Sequence, residues 1–319
     1  MKRRFALTMM LALTLAPLHA ELTKEQCGRI TKTVGQIIGQ IHYRQTELND
    51  EISKHHLKNY LNALDFGHMI FLQSDVDSFE KLYGTRLDDQ VRFGSLRPAH
   101  QIFQRYLERL AERQKTVTTL LEKPMDFSKK ESFNPVRDEL PWPKTADEAN
   151  ELWRKRVKFE LLADRLTYAK AGEKPDPKKV EESTGKIQRR YDRLLKTMKA
   201  YEEGEILELY LSSLTRAYDP HSDYMSPHET ENFKINSIDM QLTGIGAVLT
   251  TDEGYTKIVR VMAGGPAGKS GLIKANDKII AVKNPGEKEA TDLLDMGIND
   301  VVQLIRGKKG TVVELTIIP

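Results

Sequence analysis

Two glycines separated by one residue, Gly244 and Gly246, stand directly before a short apolar run, 247–249. Glycine tolerates backbone angles that put successive N–H groups on one side of a loop. Such a nest of N–H groups binds an anion. A carboxylate-binding loop next to an open strand edge would capture a free C-terminus. The stretch also fits an ordinary glycine turn into a buried strand. The surrounding segments must therefore distinguish a carboxylate-binding loop from a plain turn.

The residues after this loop predict a small β-rich domain. A hairpin turn at 252–254 and a glycine-rich turn at 263–271 separate short apolar runs. Strands are predicted at 244–250, 255–262, 278–282 and 311–318, and an amphipathic helix at 295–306. On that helix Ile298, Val301, Val302 and Ile305 lie on one side, and Val301 is predicted to be core.

The sequence before the loop predicts helices. Apolar residues recur at three- and four-residue steps, which indicates at least four helices within 22–121 and others at 145–171, 178–201 and 206–217. Four prolines between 122 and 144 prevent helix formation there. Trp142, flanked by two of them, is predicted to pack as a plug on the helical body, with ligand stacking as the alternative. The fold class is therefore α+β, with a mainly helical domain over residues 21–227 and a β-rich domain over residues 238–319.

Residues 1–20 have the layout of a secretory signal peptide, with three basic residues, an uncharged apolar run and a small residue at Ala20. The alternative is an uncleaved anchor. Three of the 49 basic residues lie in this segment, so 46 would remain against 46 acidic residues. A near-neutral mature chain does not favour nucleic-acid binding. No membrane span is expected after signal removal, and the single cysteine, Cys27, excludes an internal disulfide.

Two other groups of residues could form a metal site or a catalytic site, but each has a simpler explanation. Asp219, His221 and Asp223 alternate as metal ligands can, but short polar residues around prolines also suit a joint between domains. Ser78 and Lys81 match Ser-x-x-Lys in a charged helical region, without the companion motifs of serine enzymes. We therefore expect no catalytic residue, metal or cofactor in this chain.

Several longer motifs resemble one known family. The segments Gly244–Ala247, Gly264–Ala267, Asn276–Ile279 and Ile305–Thr311 resemble the PDZ domain of carboxy-terminal processing proteases. Four segments of the helical part resemble the N-terminal part of the tail-specific protease: 42–45, 122–127, 141–144 and 219–227. The likeness runs from about residue 24 to the last residue. Asn276 stands where the family has glycine, and Ala247 stands where PDZ loops have a large apolar residue.

The resemblance implies a periplasmic protein that recognises substrates for a serine endopeptidase. Its PDZ domain would bind unstructured C-terminal tails of exported proteins, and the family also implies a helical-repeat lipoprotein adaptor as partner. The peptide-binding residues would be Gly244, Ile245, Gly246, Ala247, Val248, Leu249, Ile298, Val302 and Ile305. The last three would line the pocket for the apolar side chains of the tail, although plain core packing explains Ile298 and Val302 equally well.

The family's Ser–Lys catalytic core would follow Pro319. We expect the chain alone to hydrolyse nothing, and cleavage abolished by Ser78→Ala would contradict this. Two alternatives remain: the recognition portion of a protease, or a complete non-catalytic adaptor or decoy that binds tails.

Overall fold

The computed structural model describes residues 22–169, 173–174, 176–227, 230, 244–252, 254–287, 289–294, 296–307 and 310–319. The predicted signal peptide, residues 241–243 and the proposed domain boundary at Ile238 lie outside these ranges. The described residues form a helical part and a part with a five-stranded sheet, each around its own hydrophobic core. The α+β class is therefore confirmed.

The helical part consists of eight helices within the described ranges. They are α1 (Lys24–Ile41), α2 (Asp50–Leu64), α3 (Gln73–Tyr83), α4 (Leu87–Phe93), α5 (Arg97–Leu121), α6 (Ala146–Arg165), α7 (Pro177–Lys199) and α8 (Glu203–Tyr218). Capping side chains set several of the starts. Thr23 and Gln26 form a reciprocal capping box at α1, and the Thr145 hydroxyl accepts a hydrogen bond from the Glu148 N–H at α6. Residues 122–144 contain no helix, as the prolines predict.

Trp142 packs on the helical body, which confirms the predicted plug. Its indole Nε1–H donates to Asp65 Oδ2 at 2.9 Å, and its ring stacks on His68 with centroids 3.6 Å apart. Asp65 is buried directly after α2 and also accepts hydrogen bonds from the backbone N–H groups of Met69, Ile70 and Phe71. Burial raises the pKa of the Asp65 carboxyl, and the four donors oppose that shift.

The β-rich part contains five strands and two helices. They are β1 (Ala247–Asp252), β2 (Tyr255–Val261), α9 (Pro266–Ser270), β3 (Lys278–Lys283), β4 (Thr291–Asp292), α10 (Ile298–Ile305) and β5 (Glu314–Ile318). All pairings are antiparallel, in the order β1-β2-β3-β4, with β5 also paired to β3. The two-residue strand β4 was not predicted, and α10 is shorter than the predicted helix. Ile258, Ile279, Val282, Leu293, Val301 and Ile305 form the core.

A buried histidine makes the helical part sensitive to acid. His56 is fully buried, and its Nε2–H donates to the Tyr210 carbonyl at 2.9 Å. Burial lowers the pKa of His56 from 6.5 to about 3. Between these two values the unfolded chain binds a proton that the folded chain does not. The contribution of His56 to the free energy of unfolding is therefore fully present above about pH 6.5. It falls by about 1.4 kcal/mol for each pH unit between that value and about pH 3.

The neighbouring His55 is exposed and provides a matched control. Urea unfolding at a series of pH values should show a shallower loss of stability toward low pH in His56→Phe than in the wild type. His55→Phe should keep the wild-type slope. Equal slopes in all three proteins would show that His56 is not the group responsible.

Candidate peptide-binding site

The glycine loop is held by two hydrogen bonds to the turn at residues 262–267. The Ile245 carbonyl accepts from the Ala267 N–H, and the Gly246 carbonyl accepts from the Met262 N–H, both at 2.8 Å. In a trans peptide the N–H points opposite to the preceding carbonyl, and no peptide bond in the described chain is cis. The N–H groups of Gly246 and Ala247 therefore point away from this turn.

Both loop glycines adopt backbone angles that other residues rarely take. The φ angles of Gly244 and Gly246 are 151° and 75°. Gly246 also lies directly against Gly265, because a Cβ added to Gly246 would be 2.7 Å from the Gly265 Cα. The loop is therefore packed backbone to backbone, and a side chain on Gly246 or Gly265 would displace it.

Strand β1 lies at the end of the sheet. One edge pairs with β2, and no described strand pairs with the other. Ala247 and Leu249 are half-buried against the core, whereas Val248 is more exposed, as alternation along a strand requires. Ile245 of the loop also packs against this core. The loop and the first half of β1 thus supply an apolar row next to an unpaired backbone edge.

Helix α10 contacts β1 and carries the predicted pocket residues Ile298, Val302 and Ile305. Ile298 and Val302 lie one turn apart and are half-buried, and neither belongs to the core cluster or its packed periphery. Val301 is fully buried, which confirms its prediction as core. A groove with a backbone edge on one side and apolar side chains on the other can accept an extended peptide.

The prediction for Ile305 needs a correction. Its side chain is 5% exposed and belongs to the core cluster. Ile305 lies one turn after Val301 and shares its inward side, so it packs in the core. Of the three predicted pocket residues on α10, Ile298 and Val302 therefore remain candidates.

The residues of the other two candidate groups make hydrogen bonds and ion pairs within the protein. The Asp219 carboxylate accepts hydrogen bonds from the Tyr43 hydroxyl at 2.6 Å and from the His221 N–H at 2.7 Å, and Asp223 pairs with Arg216. Among the residues that the structure describes, no group of three or more His, Cys, Asp or Glu could hold a metal. The Ser78 hydroxyl donates to the Ser74 carbonyl at 2.7 Å, and Ser78 and Lys81 are both exposed.

Gly265 is the site residue that sequence reasoning missed. The segment Gly264–Ala267 carried part of the family resemblance, but it was given no role. In the structure Gly265 permits the close approach of Gly246, and Ala267 donates a hydrogen bond to the loop. Two glycines in a row before a proline were the available signal, although they do not reveal which segment approaches them.

Comparison with known proteins supports the same architecture. Residues 34–228 match the family described as the tail-specific protease N-terminal domain, and residues 234–318 match the PDZ domain family. The tail-specific protease of Haemophilus influenzae is 32% identical over 295 residues, which are 92% of this chain and 41% of that protein. The carboxy-terminal processing protease CtpA of Bacillus subtilis is 40% identical over 97 residues, which are 30% of this chain and 19% of that protein.

A crystal structure of the PDZ domain of a carboxy-terminal protease from Vibrio cholerae, in complex with peptide, shares 45% identity. The match covers 24% of this chain and 79% of that one, with a TM-score of 0.24.

The fold and the loop define a PDZ domain that follows a helical domain. The family match to the helical domain covers more than half of the chain. The chain therefore belongs to the tail-specific protease family, and it spans about two-fifths of the Haemophilus protein's length. No described helix has the length and hydropathy that a membrane-spanning segment needs.

Proposed function

We propose that the PDZ domain captures the free C-termini of unstructured exported proteins and delivers them to a serine endopeptidase in the periplasm. One observation carries this proposal. The N–H groups of Gly246 and Ala247 point away from the turn that holds the loop, at the start of the unpaired edge of β1. This arrangement combines a site for a carboxylate with a site for a strand.

The proposed complex assigns a separate role to each part of the groove. The terminal carboxylate accepts hydrogen bonds from the loop amides, and such charge-assisted bonds contribute about 1.5–3 kcal/mol. The peptide backbone pairs with residues 247–249 and extends the sheet. Alternate peptide side chains then face the apolar row of Ile245, Ala247 and Leu249 and the α10 residues Ile298 and Val302. The predicted contribution of Val248 is confined to its backbone, because its side chain lies on the other face.

The negative charge at the C-terminus of the peptide allows carboxylate recognition to be tested. We would titrate the full chain with an unstructured peptide that ends in apolar residues, and with the same peptide amidated at its C-terminus. Loss of the charge-assisted hydrogen bonds should weaken binding about 10- to 100-fold. Equal affinity for the two peptides would remove the case for carboxylate recognition.

Substitutions at two neighbouring valines of α10 can separate an effect on peptide binding from an effect on core packing. Val302→Ser should weaken binding of the free-acid peptide about tenfold and leave the free energy of unfolding nearly unchanged, because Val302 is half-exposed. Val301→Ser should lower the free energy of unfolding by about 3 kcal/mol, because a polar group replaces a fully buried side chain. Calorimetric titration and thermal unfolding of both variants would check this. Equal effects on binding and stability in the two variants would contradict the proposed groove wall.

A further inference from the structure

The hairpin of β1 and β2 has an outward face that lies beside the proposed groove. Val248 of β1 lies directly opposite Arg260 of β2, and Thr250 lies directly opposite Lys257. Residues that lie opposite each other in an antiparallel pair point to the same face of the sheet. Because Val248 points away from the core, Arg260 is on the outward face as well. A guanidinium group is therefore carried one strand away from the unpaired edge of β1.

Arg260 differs from the other charged residues on the outward face of this hairpin. The Lys257 ammonium lies 3.4 Å from a carboxylate oxygen of Asp252, so these two charges largely offset each other. Arg260 is exposed and makes no ion pair with any residue in the described ranges. The described residues on this face of the hairpin thus have a net positive charge, at the end of β1 that is closest to the glycine loop.

The penultimate side chain of a bound tail would point to this outward face. The last side chain of the tail faces the groove, and successive side chains of a strand point to opposite faces of the sheet. Neighbouring strands lie about 4.8 Å apart, so the backbone of the tail would lie about 10 Å from that of Arg260. Arginine can lay its apolar stem on apolar surface and extend its charged end beyond it. Val248 provides such a surface between Arg260 and the tail.

We propose that Arg260 selects tails with an acidic residue at the penultimate position. This inference rests on the proposed function, because it requires the tail to pair with β1. An acidic side chain at that position forms an ion pair with Arg260, whereas a basic side chain is repelled. Exposed ion pairs are individually weak, so each unit of charge changes the affinity by about threefold. Salt screens this effect, whereas the apolar contacts in the groove persist.

The test compares three free-acid peptides that differ only at the penultimate position, which is Glu, Gln or Lys. In calorimetric titrations of the full chain at low salt, the peptide with Glu should bind about threefold more tightly than the peptide with Gln. The peptide with Lys should bind about threefold more weakly than the peptide with Gln. The variant Arg260→Gln should bind all three with nearly equal affinity, and Arg260→Glu should reverse their order.

Lys283→Gln provides a matched control, because it removes one positive charge from β3, which is separated from β1 by β2. It should keep the wild-type order of the three peptides. Equal loss of the order in Arg260→Gln and Lys283→Gln would overturn the role of Arg260.

The peptide with Gln and its amidated twin separate this inference from the proposed function. If the wild type prefers the free acid but binds the three penultimate variants equally, the role of Arg260 alone is overturned. If the wild type binds the free acid and the amidated twin equally, carboxylate recognition and the inference that rests on it are both overturned.

Discussion

Replacing Gly265 with alanine should strongly weaken the proposed binding of C-terminal tails by the PDZ domain. An added Cβ would lie 2.8 Å from the Gly246 Cα and 3.3 Å from the carbonyl oxygens of Ile245 and Gly246. All these atoms belong to backbone, which cannot rotate away as a side chain can. The loop must therefore shift and reorient the N–H groups of Gly246 and Ala247. We expect affinity for the free-acid peptide to fall by more than tenfold, because charge-assisted hydrogen bonds depend strongly on geometry.

The neighbouring Gly264 provides a close control. A Cβ added there would meet no atom within 4 Å, and its backbone does not lie in the left-handed region. Gly264→Ala should keep wild-type affinity in the same calorimetric titration. If both variants bound the peptide as the wild type does, the loop would not be the carboxylate site.

Replacing Asp65 with alanine should cause a large loss of stability in the helical part. The carboxylate accepts four hydrogen bonds, from the N–H groups of Met69, Ile70 and Phe71 and from the Trp142 indole, at 2.9–3.0 Å. The side chain is 3% exposed, so water cannot easily replace it. We expect the free energy of unfolding, measured with urea, to fall by about 4 kcal/mol, because four donors lose their acceptor.

Two further variants test the cause of that loss. Asp77 is exposed and contacts Gln73, so Asp77→Ala should change the free energy of unfolding by less than about 0.5 kcal/mol. Trp142→Phe removes one of the four donors and keeps an aromatic ring over His68, so its effect should be smaller than that of Asp65→Ala. A loss in Asp65→Ala no larger than in Asp77→Ala would refute the proposed role of this carboxylate.

The sequence was sufficient for features that depend on nearby residues. The helix start near residue 145 and the prolines around Trp142 depend on residues within a few positions, and both predictions agree with the structure. Four of the five described strands of the PDZ domain, and helix α10, also followed from local periodicity and turns. Long-range partners could not be predicted in this way. Asp65 and Trp142 are 77 positions apart, and no local pattern connects them.

Prediction of the peptide-binding residues from the sequence was limited in the same way. The spacing of Ile298, Val302 and Ile305 correctly indicated one side of a helix, but it could not show how deeply each side chain lies. Ile305 is in the core because the helix also packs there through Val301. The contact between Gly246 and Gly265 depends on two loops that meet only in the folded domain. Spacing therefore predicted which residues share a surface, and packing decided which of them are accessible.

Hydrogen exchange at the backbone amides of residues 245–250 tests the central claim most directly. The full chain would be measured by mass spectrometry alone, with saturating free-acid peptide and with its amidated twin. We predict slower exchange in this segment with the free-acid peptide, because the loop amides bind its carboxylate and β1 gains a paired strand. Unchanged exchange there, with protection confined to the helical domain, would contradict peptide binding at β1.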